Sequence, residues 1–182
     1  MKILMLGTGL AALALAGCST MDDSGTTTGP TSDSAATAGA SAMLRTATGA
    51  DAGRATVSAS DNAMTVNVVA RGLPAGVHGI HVHAVGKCEG PAFTTAGPHW
   101  NPSAKMHGTE NPMGPHHGDL PNITIAADGT GTLSYPLAGG TLDGLLDADG
   151  ASVVIHAKVD DYRTDPSGNS GDRIACGVLA RP

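Results

Sequence analysis

The chain has 182 residues and a formal net charge of -6 at pH 7. This length provides one domain of about 140 residues once the N-terminal segment is set aside, which is enough to bury a core. The acidic balance and the lack of any Lys/Arg cluster exclude nucleic acid as a partner, because phosphate binding needs a basic face. Aromatic residues make up only 2% of the chain, so small aliphatic residues must fill the core.

Residues 1–17 have the pattern of a bacterial export signal. Lys2 precedes the apolar run Ile3–Ala16, which is too short to span a membrane. The ending Leu15-Ala16-Gly17-Cys18 resembles the bacterial lipoprotein processing site, which implies cleavage before Cys18 and lipidation of Cys18. We therefore expect an exported protein of the bacterial cell envelope, anchored to a membrane by lipid on Cys18 and facing the periplasm or the extracellular side. An ordinary cleaved signal with a chance cysteine is the alternative.

Residues 18–41 contain Ser, Thr, Gly, Ala and Asp with almost no large apolar residue. Such a composition predicts a flexible tether, and it leaves residues 42–182 as the folded domain. With Cys18 taken by lipid, Cys88 and Cys176 remain as a pair in an oxidising compartment, where a disulfide is expected. Two buried free thiols are the alternative.

The domain shows short alternating apolar segments separated by Gly, Pro, Asp and Asn turn signals. We predict strands over 43–47, 54–59, 64–70, 79–83, 122–126, 131–137, 151–159 and 173–180. No segment predicts a convincing helix. The expected fold is all-β, an eight-stranded antiparallel Greek-key β-sandwich or flattened barrel with two long functional loops.

Six of the eight histidines lie between residues 81 and 119. His81 and His83 are two residues apart on a predicted strand, so both rings point to one face and can bind one metal. Imidazole suits copper and zinc, and a carboxylate suits a divalent ion in tetrahedral coordination. The ligand candidates are His81, His83, His99, His107, His116, Asp119 and His156. Seven are too many for one site, so we predict two ions, with one imidazole able to serve both.

Four motifs, in order and spacing, resemble copper/zinc superoxide dismutase over about residues 43 to 181. They are Gly-Val-His78-Gly-Ile-His81-Val-His83, Ala-Gly-Pro-His99-Trp-Asn-Pro, His116-His117-Gly-Asp119-Leu-Pro and Asp172-Arg173-Ile-Ala-Cys176-Gly-Val. The resemblance implies a copper ion held by His81, His83, His99 and His156. It also implies a zinc ion held by His99, His107, His116 and Asp119, with His99 as the bridge.

The resemblance further implies the activity. Copper redox cycling would convert superoxide anion to dioxygen and hydrogen peroxide, with His99 delivering a proton and Arg173 guiding the anion. The carboxylate of Asp160 would contact both a copper histidine and a zinc histidine without binding either metal, and would orient both rings. For Arg173 the alternative is a structural ion pair with Asp172 or Asp165, and for Asp160 it is a solvated turn.

Two histidines stand outside this assignment. We expect His78 to be structural and hydrogen-bonded to backbone. His117 could in principle replace His116, but only His116 has the three-residue step to Asp119.

Three other functions compete with the dismutase. One is an envelope copper-binding or copper-delivery protein of the same fold without turnover. The others are a copper-only dismutase and a structural lipoprotein with incidental metal. The sequence is compatible with both a monomer and a homodimer.

Overall fold

The computed structural model describes residues 38–60 and 63–182. The predicted signal peptide, the lipidated Cys18 and the predicted tether as far as residue 37 lie outside these residues, so they remain predictions. Within the described ranges, no helix is both long enough and apolar enough to cross a membrane.

In the described residues, nine strands form two antiparallel sheets. In chain order they are β1 (Ala38–Thr46), β2 (Asp51–Ser60), β3 (Ala63–Ala70), β4 (Gly76–His78), β5 (Ile80–His83), β6 (Ile123–Ile125), β7 (Gly131–Leu137), β8 (Ala151–His156) and β9 (Arg173–Leu179). Seven strands pair in the order β5-β8-β9-β1-β2-β3-β7, and β4 pairs with β6 in a small second sheet. The predicted antiparallel all-β class is confirmed, with nine strands instead of eight.

The extra strand arises at Gly79. The predicted strand over 79–83 begins only at Ile80, because the Gly79 N–H donates to the carbonyl of Lys158 at 2.7 Å rather than to a strand neighbour. A Cβ atom on Gly79 would lie 2.8 Å from the Cβ of Ser170, so only glycine permits this close approach. The residues just before it form β4, which pairs with β6.

The first strand begins before the predicted domain boundary at residue 42. Ala38, Gly39 and Ala40 pair with residues of β2, and Ala40 is buried. These small residues gave no apolar signal in the sequence, and the strand forms here because β2 pairs with it. Residues 38–41, which were predicted as tether, therefore belong to the sheet.

The prediction that the domain contains no helix is wrong at one short segment. Helix α1 (Leu142–Leu145) is capped by Thr141, whose hydroxyl accepts the Gly144 N–H at 3.0 Å. Leu142 and Leu145 are buried in the core, and these two contacts hold a single turn whose intrinsic helical preference is weak. A 3-10 turn over Thr94–Ala96 lies in the long loop after β5.

Strand alternation puts the core and the histidines on opposite faces of β5 and β8. Ile80 and Val82 of β5 lie in the main hydrophobic core, together with Val153 and Ile155 of β8. The residues between them point the other way because successive side chains alternate across a strand. His81, His83 and His156 are therefore held on the face turned away from the core, where the long loops cover them.

The predicted disulfide is confirmed between Cys88 and Cys176, whose Cα atoms are 5.7 Å apart. It joins the loop after β5 to β9 across a sequence separation of 88 residues. Phe93, Ala96 and Val154 pack with Cys176 in a second small hydrophobic cluster. The long loop is thus fixed covalently at its beginning.

We predict that replacing Cys88 and Cys176 by serine lowers the free energy of unfolding by about 4–5 kcal/mol, because the bond closes a long loop in the unfolded chain. Urea unfolding of the variant beside the oxidised protein measures the difference. Equal midpoints and slopes would contradict the prediction, because the bond would then not restrict the unfolded chain.

Candidate metal centre

Two strands and one loop supply the predicted ligands. β5 carries His81 and His83, β8 ends at His156, and the loop after β5 carries His99, His107, His116 and Asp119. Backbone hydrogen bonds hold this loop along β5: Val82 N–H donates to Gly118 O at 2.9 Å, and Trp100 N–H donates to Val82 O at 2.8 Å. A Cβ atom on Gly118 would lie 2.2 Å from Val82 O, so glycine is needed there.

The first group of ligands is an all-histidine cluster of His81, His83, His99 and His156, whose ligand atoms lie within 4.8 Å of one another. All four rings are buried. In the described part of the chain, each of the four has one buried ring nitrogen with no hydrogen-bond partner: His81 Nδ1, His83 Nε2, His99 Nε2 and His156 Nε2. Four converging and unpaired nitrogens fit a metal ion that imidazole binds well, such as copper.

The opposite nitrogens of three of these rings are held by acceptors. His81 Nε2 donates to Asp160 Oδ2 at 2.7 Å, His83 Nδ1 donates to Gly97 O at 2.9 Å, and His156 Nδ1 donates to Gly171 O at 3.2 Å. Holding the proton on one nitrogen leaves a lone pair on the other. The acceptors therefore select the tautomer that can bind metal.

Burial keeps these rings neutral. It lowers the pKa of His81 to about 3 and that of His156 to about 4, and it lowers the pKa values of His83 and His99 from their ordinary range. A metal has no proton to displace from a neutral ring with a free lone pair, so the first group is ready to bind at neutral pH.

The second group surrounds one carboxylate oxygen. Asp119 Oδ1 lies 2.8 Å from His99 Nδ1, 3.0 Å from His107 Nδ1 and 3.3 Å from His116 Nδ1. The other oxygen, Oδ2, accepts the backbone N–H groups of Gly108 and His116, each at 2.9 Å. Three nitrogens and one oxygen at these distances are a donor set that suits tetrahedral zinc.

His81 also comes within 4.8 Å of His99, His107 and Asp119, which would offer it as a fourth ligand in place of His116. However, His81 Nε2 already donates to Asp160, and its free Nδ1 belongs to the first group. His116 Nδ1 lies 3.3 Å from both His99 Nδ1 and Asp119 Oδ1. We therefore include His116, and not His81, in the second group.

Asp160 contacts one ring of each group. Its Oδ2 accepts from His81, and its Oδ1 accepts from His107 Nε2 at 3.0 Å, with only 1% of the side chain exposed. Burial lowers the pKa of His107, but the hydrogen bonds to Asp119 and Asp160 outweigh it and raise this pKa to about 9. Burial likewise opposes ionisation of the two aspartates, yet bonds from the histidines hold their pKa values well below the usual range.

Arg173 is fixed by backbone carbonyls. Its guanidinium donates to Phe93 O at 2.7 Å and to Gly97 O at 2.8 Å. No carboxylate within the described residues forms a salt bridge with it, so the alternative of an ion pair with Asp172 or Asp165 is not observed. Burial lowers the pKa of Arg173, but the ordinary pKa of arginine is so high that the side chain keeps its charge.

A cavity of about 760 Å³ opens over the first group of ligands. It is lined by His99, His156 and Arg173, and also by Trp100, Asn101 and Ser167. An uncompensated guanidinium beside two ligand rings provides a docking point for a small anion.

The two histidines outside the predicted ligand sets have structural contacts. His78 Nδ1 lies 2.8 Å from His156 O and its Nε2 lies 3.0 Å from Pro74 O. The His117 ring packs edge-on against Trp100 with centroids 5.3 Å apart, and its Nε2 lies 3.1 Å from Ser103 Oγ. His117 therefore turns away from the second group, whereas His116 turns towards it.

Sequence reasoning missed the carbonyl acceptors of Gly97 and Gly171, because a backbone group carries no sequence signal. It also considered Asp165 only as a partner of Arg173. In the structure Asp165 Oδ1 instead accepts the backbone N–H of His107 at 2.7 Å.

Comparisons with known proteins agree with this geometry. The sequence model described as copper/zinc superoxide dismutase matches residues 51–179. The Cu-Zn superoxide dismutase of Caulobacter vibrioides is 42% identical over 148 residues, which cover 77% of this chain and 84% of that protein. The superoxide dismutase-like protein YojM of Bacillus subtilis is 42% identical over 125 residues, which cover 65% of this chain and 64% of that protein.

Solved structures agree on the fold. The crystal structure of a SOD-like protein from Bacillus subtilis matches with a TM-score of 0.70 and 38% sequence identity, covering 77% of this chain and 97% of that one. The expected cofactors, copper and zinc, are supported by the matched family and by the two donor sets.

We predict that the metal-free protein loses stability as the pH falls below 6.5. An unfolded histidine has a pKa near 6.5, whereas folded His81 and His156 stay neutral down to about pH 3 and 4. At a pH between the folded and unfolded pKa values, the unfolded state binds more protons than the folded state. At pH 5 each of these two rings therefore lowers the free energy of unfolding by roughly 2 kcal/mol. Urea unfolding of chelator-treated protein at pH 6.5 and pH 5 measures the loss.

His107 does not offset this loss. Its pKa is raised to about 9, so its stabilising contribution is fully present below pH 6.5 and disappears only as the pH rises through 9. Equal stability at pH 6.5 and pH 5 would mean that the buried rings already carry protons.

Proposed function

Because the chain belongs to the copper/zinc superoxide dismutase family, we propose that it is an oxidoreductase that converts superoxide to dioxygen and hydrogen peroxide. The observation that carries the proposal is the set of four buried histidine nitrogens without a hydrogen-bond partner, which converge beneath a cavity that Arg173 lines. Unpaired buried polar atoms are costly, and a bound metal ion relieves that cost.

His81, His83, His99 and His156 would hold copper, and His99, His107, His116 and Asp119 would hold zinc. Bound copper supplies the one-electron redox chemistry that oxidises one superoxide and reduces the next, while zinc supplies fixed positive charge without redox chemistry. Asp160 is proposed to orient a ring in each set, since it accepts from His81 and His107.

His99 would serve both ions and move a proton. One of its nitrogens faces the first group, and the other lies 2.8 Å from Asp119 Oδ1 in the second. Whenever Nε2 is not a ligand it can hold a proton, and it is close enough to the cavity to pass that proton to reduced substrate.

Arg173 would bind and orient the anion. Its side chain is held by two carbonyls and not by a carboxylate, so its positive charge remains available at the cavity. This local charge can attract superoxide although the whole chain carries a net charge of -6.

The competing proposal is a copper-binding or copper-delivery protein without turnover. It draws on the 42% identity to a protein named only as superoxide dismutase-like. That reading predicts the loss of a copper ligand or of the arginine, and this sequence retains all four histidines and Arg173. A copper-only dismutase would lack the zinc residues, which are also present.

We predict that the full chain loaded with copper and zinc dismutates superoxide, and that Arg173→Ala lowers kcat/KM by about tenfold or more at low ionic strength. His99→Ala should lower it further, by about 100-fold or more, because it removes the shared ring and its proton. Pulse radiolysis beside metal analysis measures both effects.

Arg163→Ala is the matched control, because Arg163 is exposed and paired with Glu110, and it does not line the cavity. It removes one positive charge and should leave the rate almost unchanged. Tight copper binding without turnover in the loaded wild type would reject the dismutase and favour copper handling.

We further propose that lipid on Cys18 anchors the protein in the bacterial envelope, as the Leu15-Ala16-Gly17-Cys18 sequence suggests. Cys18→Ser should then move the protein from the detergent phase to the aqueous phase in a phase-partition assay, because its acyl chains are lost. Ser19→Ala is the control and should stay in the detergent phase. Aqueous partition of the wild type would contradict the anchor.

A further inference from the structure

The second long loop, over residues 157–172, touches the second ligand group at a residue with no assigned role. Asp165 Oδ1 accepts the backbone N–H of His107 at 2.7 Å and also lies 3.8 Å from His116 Nε2. Its carboxylate therefore faces two of the proposed zinc ligands at once, one through the main chain and one through the ring.

Among the candidate ligands, His116 is the one whose outer nitrogen, Nε2, has no hydrogen-bond partner in the part of the chain that the structure describes. The outer nitrogens of His81 and His107 donate to Asp160, but the carboxylate nearest to the outer nitrogen of His116 in the described residues is Asp165. A metal-bound histidine almost always gives its other N–H to a carboxylate, a carbonyl or water. Binding of a metal at His116 Nδ1 leaves the proton on Nε2, which is the nitrogen that faces Asp165.

We propose that Asp165 is a positioning residue for zinc, which orients His107 and His116 and thereby couples zinc occupancy to order in the loop over residues 157–172. The proposal deepens the proposed function and rests on the assignment of zinc to these ligands. It gives the second loop two carboxylates for the metal centre, Asp160 at its beginning and Asp165 near its middle.

The coupling matters because the same loop forms part of the cavity wall. Pro166, Ser167 and Gly171 line the cavity beside Arg173. The loop also carries its own internal bonds, in which Gly168 N–H donates to Thr164 O and Asp161 N–H donates to Gly168 O at 2.9 Å. Contact between Asp165 and the proposed zinc ligands would hold this part of the cavity wall in place beside Arg173.

The test measures zinc binding and loop protection instead of turnover. In the full chain, the zinc dissociation constant is determined by chelator competition, and amide hydrogen exchange is followed at Gly168 and Asp161 with and without zinc. For the wild type, zinc should slow exchange at both amides. Asp165→Ala should weaken zinc binding by about 10- to 100-fold and abolish the slowing.

Asp165→Asn separates the two contacts. An amide keeps an oxygen acceptor for the His107 N–H but removes the negative charge that faces His116, so we expect an intermediate loss of zinc affinity. Exchange at core amides such as Val57 and Val66 shows whether each variant is folded, since both residues are buried in β2 and β3.

Two control variants lie in the same loop. Asp172→Asn removes the same charge from an exposed aspartate, and Asp161→Ala removes the acceptor of the Arg163 and Thr164 N–H groups, which loosens the loop without touching a ligand. Asp172→Asn should retain wild-type zinc affinity, whereas Asp161→Ala, which only loosens the loop, should weaken zinc binding by less than Asp165→Ala does. The proposal is overturned if Asp165→Ala binds zinc like the wild type, or if either control weakens zinc binding equally.

The outcome is separable from the proposed activity. A wild type whose zinc affinity depends on Asp165 but which does not dismutate superoxide would reject the dismutase and keep the positioning role. An active enzyme whose Asp165→Ala variant binds zinc like the wild type would keep the dismutase proposal and reject the positioning role of Asp165.

Discussion

A buried imidazole that is held at one nitrogen and left bare at the other is the element on which the whole centre depends. The holding contact fixes the ring and its tautomer, and the bare nitrogen is what a metal can use. Each bare nitrogen costs about 1–3 kcal/mol in a metal-free protein, because it has lost water and gained no partner. The described residues contain four of them in one cluster, so the rest of the fold must be stable enough to carry that cost.

The β-scaffold provides this stability through the alternation of side chains. β5 and β8 each have an aliphatic face in the main core and a second face with the histidines. A one-residue shift in register would exchange the two faces and bury the rings in the core. Antiparallel pairing of Ile80 with Ile155 and Val82 with Val153 fixes the register, because both pairs belong to the core side. Packing and metal binding therefore select the same alignment.

Much of this arrangement could be predicted from the sequence. Strong alternation and turn residues gave the class of the fold, and the histidine motifs gave residues that the structure brings together. The elements that were missed depend on contacts between distant segments. The start of β1 needs β2 beside it, the break at Gly79 needs Ser170, and α1 needs a core to receive Leu142 and Leu145. No local pattern reports such neighbours.

At the candidate site, too, local sequence patterns indicated some features, while others depend on contacts between distant segments. Residue types and spacing indicated which side chains could bind a metal ion, because imidazole and carboxylate chemistry is local. The outer contacts were less visible, since Gly97 and Gly171 act through carbonyls and Asp165 accepts the backbone N–H of His107, 58 residues away. His117 shows why adjacency is not enough: its neighbour His116 faces Asp119, while His117 packs on Trp100.

The position of β5 at one end of the seven-stranded sheet has a consequence for solubility. An edge strand with unpaired backbone groups is a template for aggregation. Here the ligand-bearing loop satisfies that edge, through the bonds of Val82 to Gly118 and Trp100 and of Ala84 N–H to Pro98 O at 2.9 Å. The opposite edge strand, β7, contains Pro136, which has no N–H to offer another chain. The loop that carries most of the candidate ligands thus also shields the sheet, and any event that detached it would expose an aggregation-prone edge together with the buried histidines.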